Sequence, residues 1–316
     1  LALQNLSTTF WVAVLSLLLC GCGGQEQTPT ATPNPVSSPP SRTIAGYPIG
    51  ALLWSDDFIG TAGGVLDAKN WTPRNCGQFP SNGGGSCYGD EAQYYSPSAV
   101  ALDGSTLGNA IITTNRISSQ PSNAGSCPNG SCKFISARFD TQGKVAFKYG
   151  YIEARIKMPK GGANWPAFWM LGTNITSVGW PNSGELDIIE LHGNRPSVAT
   201  AATHYSTNNL PNTCCSNHLY DSAELDVGLN LTDDYHVYAI AWLPDRLIYL
   251  VDERVVLTST PGSVRTPYWV FNQAFFLILN NAVGSFGGAW DGWFESRMVI
   301  DYVRSYQING VGEVIR

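Results

Sequence analysis

The chain has 316 residues, a net charge of −6 and only 13% charged side chains, against 43% hydrophobic and 11% aromatic residues, 33 glycines and 19 prolines. No basic cluster accompanies this acidic balance, which excludes the electrostatic footprint of a nucleic-acid binder and favours a neutral substrate over a strongly anionic one. A turn-rich, aromatic-rich composition of this kind belongs to extracellular all-β proteins rather than to helical cytosolic ones.

The apolar run from Phe10 to Cys20 is too short to span a bilayer comfortably and is followed by Gly-Cys-Gly-Gly. It reads as the core of a signal peptide covering residues 1–22. Leu19-Cys20-Gly21-Cys22 resembles a bacterial lipoprotein box with Cys22 as the lipidated residue; the alternative is an ordinary secretory signal cleaved nearby. The expectation is an exported bacterial protein, held at the cell surface or in the periplasm by a lipid anchor and otherwise secreted. Residues 23–44 contain the stretch from Gln25 to Ser41, rich in Pro, Thr and Ser with almost no apolar content. Such a segment builds no core and reads as a disordered tether. Residues 45–308 then form one β domain, within the size that single all-β domains reach, and 309–316 a short tail.

Within that domain the apolar pattern has period two. Ile152, Ala154, Ile156 and Met158 alternate with Tyr151, Glu153, Arg155 and Lys157, as in a half-buried strand. Further strands read at Ala110–Asn115, Phe134–Asp140, Val198–Ser206, His236–Leu243, Leu247–Asp252, Phe275–Asn280 and Met298–Gln307, separated by turn signals such as Leu243-Pro244-Asp245-Arg246. No convincing amphipathic helix and no repeat interrupts them. The architecture expected is an antiparallel β-sandwich, a jelly roll of two packed sheets. Six cysteines follow the leader, an even count that suggests disulfides in an exported chain. Cys127 and Cys132 bracket a tight turn and make the best pair; Cys76 with Cys87 would close a Gly-rich loop. Adjacent Cys214 and Cys215 form a vicinal bridge or stay reduced.

The stretch around which the rest is organised is Gly184-Glu185-Leu186-Asp187-Ile188-Ile189-Glu190. In a strand, Glu185 and Asp187 share one face while Leu186 and Ile188 take the other. Glu190 is out of phase by one residue, and a β-bulge at Ile188-Ile189 would restore it. Glu185 and Glu190 then behave like positions four apart, with Cα atoms roughly 13 Å from each other. Side chains leaning together can bring two carboxyls to the about 5–5.5 Å of a retaining glycosidase, which needs one ionised carboxylate as nucleophile and one protonated carboxyl as general acid. A third acid between them would orient the nucleophile and separate the pair's proton affinities. A lone Glu-x-Asp would read as a solvated strand face or a cation site; the seven-residue pattern is far more specific. Trp165 and Trp169, four apart, share a strand face close to these acids, as does Trp180 in sequence. Aromatic faces suit sugars, whereas Trp54 and Trp242 read as sandwich core.

The pattern resembles the active-site strand of glycoside hydrolase family 16 in its bulged Glu-x-Asp-x-x-Glu form. The resemblance extends over most of the domain. It takes in Trp54-Ser55-Asp56-Asp57-Phe58, Gly89-Asp90-Glu91-Ala92-Gln93-Tyr94-Tyr95, Ser136-Ala137-Arg138 and Phe147 to Lys157. It continues through Trp165-Pro166-Ala167-Phe168-Trp169-Met170, Trp180-Pro181-Asn182-Ser183, Thr203-His204-Tyr205, Tyr238 to Trp242 and Leu277 to Asn280. Asp90 stands where the family usually has Asn. The nearest pattern is that of the bacterial endo-β-1,3-glucanases, the laminarinases.

The resemblance implies a concanavalin-like sandwich with a concave substrate cleft. It implies Glu185 as nucleophile, Asp187 as its positioning partner and Glu190 as acid/base. Trp165, Trp169, Trp180, His204, Arg138, Asp90 and Glu91 become sugar contacts, His204 by donating a hydrogen bond to sugar or to the acid/base. No cofactor is implied for catalysis, but a structural Ca²⁺ is, on the convex face, at Asp57, the Gly104 carbonyl and Asp301, all oxygen donors. The partner implied is a β-glucan polysaccharide acted on by a monomer. Nucleic acid is not a partner, and a membrane is met only through the lipid anchor. Laminarin-type β-1,3-glucan is the leading substrate, with mixed-linkage β-glucan or a galactan (agar, carrageenan, β-1,3-galactan) as alternatives. A non-catalytic glucan-binding protein is a further alternative, against which the retention of both glutamates argues.

Overall fold

The computed structural model describes residues 42–75, 91–119, 132–207 and 217–316. The expected signal peptide, Cys22 and nearly all of the linker lie outside these residues. The described chain is an antiparallel β-sandwich of the jelly-roll type. One sheet runs, in spatial order, Arg254–Ser259, Arg246–Val251, His236–Leu243, Gly150–Lys157, Glu295–Ile308, Ala110–Arg116, Phe134–Ser136 and Gln93–Tyr95. The other runs His218–Asp226, Val198–Ser206, Glu185–Leu191, Asn164–Gly172, Phe275–Val283, Arg138–Asp140 and Thr72–Pro73. A single turn of helix, Ile175–Val178, leads toward the acidic strand.

Alternation explains how the second sheet serves two purposes. Phe168 and Met170 of Asn164–Gly172 and Leu277 and Leu279 of Phe275–Val283 enter the core between the sheets, with Phe147, Tyr238, Trp242 and Tyr249. A fully buried side chain of this size contributes about 1.5–3 kcal/mol. The intervening residues Ala167, Trp169, Leu171, Phe276 and Ile278 form a separate cluster on the other face, together with Ile175 and Trp180. That face carries the acids. Trp54 and Trp242 sit in the inter-sheet core, as their sequence context suggests.

Three expectations are corrected. Phe134–Asp140 is not one strand: Phe134–Ser136 and Arg138–Asp140 belong to different sheets and the chain crosses between them at fully buried Ala137. The crossing is fixed by Ser136, whose hydroxyl donates to the Asn281 carbonyl at 2.6 Å. Gly150–Lys157 is not half-buried along its length, since Tyr151 and Glu153 on its outer face are covered as well. Their cover is the N-terminal hairpin of Thr43–Ile44 with Tyr47–Asp56. Ile44 packs in the Tyr151 cluster and Arg42 reaches the Glu153 carboxylate at 3.3 Å. The folded part therefore begins before residue 45. It also runs past 308, because Glu313–Ile315 pairs with Ala146–Lys148.

Candidate active site

Gly184 opens the acidic strand with φ of +73°, and a Cβ there would sit 2.9–3.1 Å from Val270, Phe275 and Phe271, so only glycine fits the turn. From there the register is set on both sides. Leu171, Trp169 and Ala167 face Glu185, Asp187 and Glu190 on one neighbour, while His204, Ala202 and Thr200 face them on the other. Ile188 and Ile189 together oppose a single residue on each side, which is the bulge expected from the residue count. Both isoleucines are buried in the inter-sheet core with Leu186 and Leu191. That burial turns Glu190 back to the face of Glu185 and Asp187. Ala167 and Ala202, small residues directly across from Glu190 and Asp187, leave room above the strand.

Each acid has its own environment. The Trp180 indole Nε1–H donates to Glu185 Oε2 at 2.5 Å, and the Trp165 Nε1–H donates to Glu190 Oε1 at 2.7 Å. Burial, and then the Asp187 charge, push the Glu190 carboxyl up to about 7, against the Trp165 hydrogen bond and the nearby His204 cation. Burial and then Glu185 likewise raise Asp187, while His204 opposes the shift. The Glu185 and Asp187 carboxylate oxygens and a His204 ring nitrogen all lie within 4.8 Å of one another. His204 places Nε2 2.9 Å from Asp187 Oδ2. Burial disfavours the His204 cation, but Asp187 outweighs it, with Glu185 and Glu190 adding, and the imidazole rises to about 9.

The three acids line a cleft of about 440 Å³ together with Trp165, Trp169, Trp180, His204, Arg138 and Glu91. The sequence-derived sugar contacts thus converge, apart from Asp90, which lies outside the described residues. His204 does so with Nε2 facing Asp187, the middle acid, at 2.9 Å. The Arg138 guanidinium lies 4.7 Å from the Trp169 ring centroid, and the Gln93 amide donates to Glu91. Sequence reasoning missed Tyr95, Asn280 and Phe286, which also line the cleft. Asn280 fixes Trp169 by accepting its indole N–H at 2.7 Å and donates to the Tyr95 hydroxyl at 3.1 Å. A polar residue ending the apolar run Phe275 to Leu279 was the available signal. His218, also missed, stands behind His204 with Nε2 2.8 Å from His204 Nδ1.

The calcium set does not fit as folded. Arg304 donates to Asp57 Oδ1 at 2.7 Å and Arg155 to Asp301 Oδ2 at 2.6 Å, so a cation would have to displace both guanidinium groups. Cys132 is disulfide-bonded; Cys76, Cys87, Cys127, Cys214 and Cys215 lie outside the described residues.

Comparison with known proteins agrees with this geometry. Residues 105–304 match the family described as glycosyl hydrolases family 16. A beta-glucanase of Rhodothermus marinus is 32% identical over 274 residues, 81% of this chain and 85% of that protein. A glucan endo-1,3-beta-glucosidase of Cryptopygus antarcticus is 31% identical, covering 82% and 92% respectively. Among solved structures, the endo-beta-1,3-glucanase of Pyrococcus furiosus superposes with a TM-score of 0.69 at 32% identity, over 86% of this chain and 99% of that one.

Proposed function

The chain belongs to glycosyl hydrolase family 16, and from that premise we propose that it is a retaining endo-β-1,3-glucanase acting on laminarin-type glucans. The observation that carries the reading is the bulged strand with Glu185, Asp187 and Glu190 on one cleft face; burial raises the last to about 7, where it can both give and take a proton near neutrality. In the first step the Glu185 carboxylate attacks the anomeric carbon of the bound sugar, forming a glycosyl ester. The bond to the leaving glycosidic oxygen breaks as the Glu190 carboxyl delivers its proton there. Trp165 occupies Glu190 Oε1, leaving Oε2 to carry that proton. In the second step the ionised Glu190 takes a proton from water, the hydroxide oxygen attacks the anomeric carbon, and the ester breaks to restore Glu185. Trp165 then favours the carboxylate form that the base step requires.

Asp187 serves this cycle from beneath. The His204 imidazole fixes the Asp187 carboxyl beside Glu185, and the Trp180 indole fixes Glu185 itself, so the nucleophile is held on both sides. Trp165, Trp169, Trp180 and Phe286 offer apolar faces for sugar rings, with Arg138, Glu91 and Asn280 at the polar edge. The leader read from the sequence supports a site of action outside the cytoplasm, where an insoluble or extended glucan would be met. Incubation with laminarin, lichenan, agarose and carrageenan tests the substrate. Internal cleavage of laminarin, giving a ladder of oligosaccharides, is the result expected. Cleavage of agarose or carrageenan without action on laminarin would overturn the β-1,3-glucan assignment.

A further inference from the structure

His218 begins the outermost strand of the site sheet, is only half-buried, and is not part of the cleft lining. It pairs across the sheet with Ser206, which places it diagonally next to His204, whose own partner is Tyr220. Two contacts distinguish it from an ordinary edge residue. Its Nε2 lies 2.8 Å from His204 Nδ1, with the two rings edge to edge and nearly coplanar, their centroids 5.0 Å and their planes 13° apart, as an in-plane hydrogen bond requires. Its ring also lies 4.4 Å from that of Trp180. Trp180 is the indole that holds Glu185, and His204 is the imidazole that holds Asp187.

We propose that His218 is a positioning residue for catalysis, fixing from behind both groups that hold the nucleophile: the Trp180 indole by ring contact and, through His204, the Asp187 carboxyl. The chemistry follows from the donor inventory of imidazole. With its Nδ1–H given to His218, His204 must present Nε2 to Asp187, whether the proton between them sits on nitrogen or on oxygen. The ring cannot flip without breaking that bond, so the Asp187 contact keeps one geometry through both steps. His218 is suited to accept because burial and the neighbouring His204 cation lower its own basicity, to about 4, keeping it neutral when His204 is charged. The Tyr220 ring centroid lies 5.6 Å from those of both imidazoles.

This inference rests on Glu185 being the nucleophile, and its test separates the two. Nitrogen NMR of the full chain labelled at histidine should show, at pH 7, a His204 ring protonated on both nitrogens and an N–H···N coupling from its Nδ1 to the unprotonated Nε2 of His218. Absence of that coupling overturns the proposal whatever the variants do, and its presence does not depend on the Glu185 assignment. In kinetics, His218→Leu should lower kcat on laminari-oligosaccharides by roughly tenfold or more with KM nearly unchanged, since small misplacements of reacting groups carry penalties of this order. His218→Gln, whose amide oxygen can accept from His204, should recover most of the loss. A folded His218→Leu enzyme with wild-type kcat, or a Gln variant as impaired as the Leu variant at equal melting temperature, would also overturn it.

Discussion

Replacing Glu190 by glutamine keeps the side-chain shape and an oxygen for the Trp165 indole but removes ionisation. The wild-type carboxyl titrates from an ordinary 4.5 in the unfolded chain to about 7 in the cleft. Because the folded value is the higher one, the native protein is stabilised in full below 4.5 and loses that stability as pH rises through about 7. At about 1.36 kcal/mol per pH unit, and discounting for the edge that Glu190 keeps on the cleft, the loss is on the order of 2–3 kcal/mol. The glutamine variant does not pay it. For a domain of this size, Glu190→Gln should gain about 5–10 °C in melting temperature over the wild type between pH 4.5 and pH 8. Thermal melts of both proteins across that range read the difference directly, and any constant offset from the substitution cancels. The same variant should lose laminarin hydrolysis yet still react with an aryl laminaribioside whose leaving group needs no proton. A melting difference that does not vary with pH would mean that Glu190 titrates as an ordinary surface glutamate, and the general-acid assignment would lose its physical basis.

Two further outcomes follow from the same geometry. Deleting Ile189 yields Glu-Leu-Asp-Ile-Glu, in which phase still aims the last glutamate at the cleft. The loss of one fully buried isoleucine should destabilise the protein by about 2–4 kcal/mol and reduce activity while leaving it folded, as circular dichroism and melting would show. Wholesale unfolding would place the need for the bulge in the core. Trp180→Phe keeps an aromatic ring but removes the N–H that Glu185 accepts; a hydrogen bond to a charged group is worth about 1.5–3 kcal/mol, so kcat/KM should fall roughly 10–100-fold. An unchanged kcat/KM would show that this bond does not orient the nucleophile.

The acidic strand was readable because side-chain phase depends only on residue count. Two adjacent isoleucines between Asp187 and Glu190 have no other way to be buried if all three acids share a face. The sandwich was readable for the same reason, wherever one face was polar. Phe134–Asp140 misled because it is buried on both sides of a sheet change, where alternation carries no information about which sheet a residue joins. Tyr151 and Glu153 misled in the opposite sense: a hairpin more than 90 residues earlier in the chain covers a face that the pattern marks as solvent. His218 escaped notice because its strand has exposed Tyr220, Ser222 and Glu224 along one face and only weak apolar residues along the other. Its meaning depends on contacts with Trp180 and His204 from separate elements, and no local spacing encodes those.

The central claim is that Glu185 attacks the sugar itself, and the anomeric configuration of the first product tests it most directly. Proton NMR recorded in the first moments of laminarin hydrolysis should show the β-anomer of the new reducing end, with the α-anomer growing in only by mutarotation. Glu185→Gln should abolish that signal while still binding laminari-oligosaccharides. An α-anomer appearing first would contradict the double displacement, and near wild-type kcat in Glu185→Gln would contradict the assignment of the nucleophile.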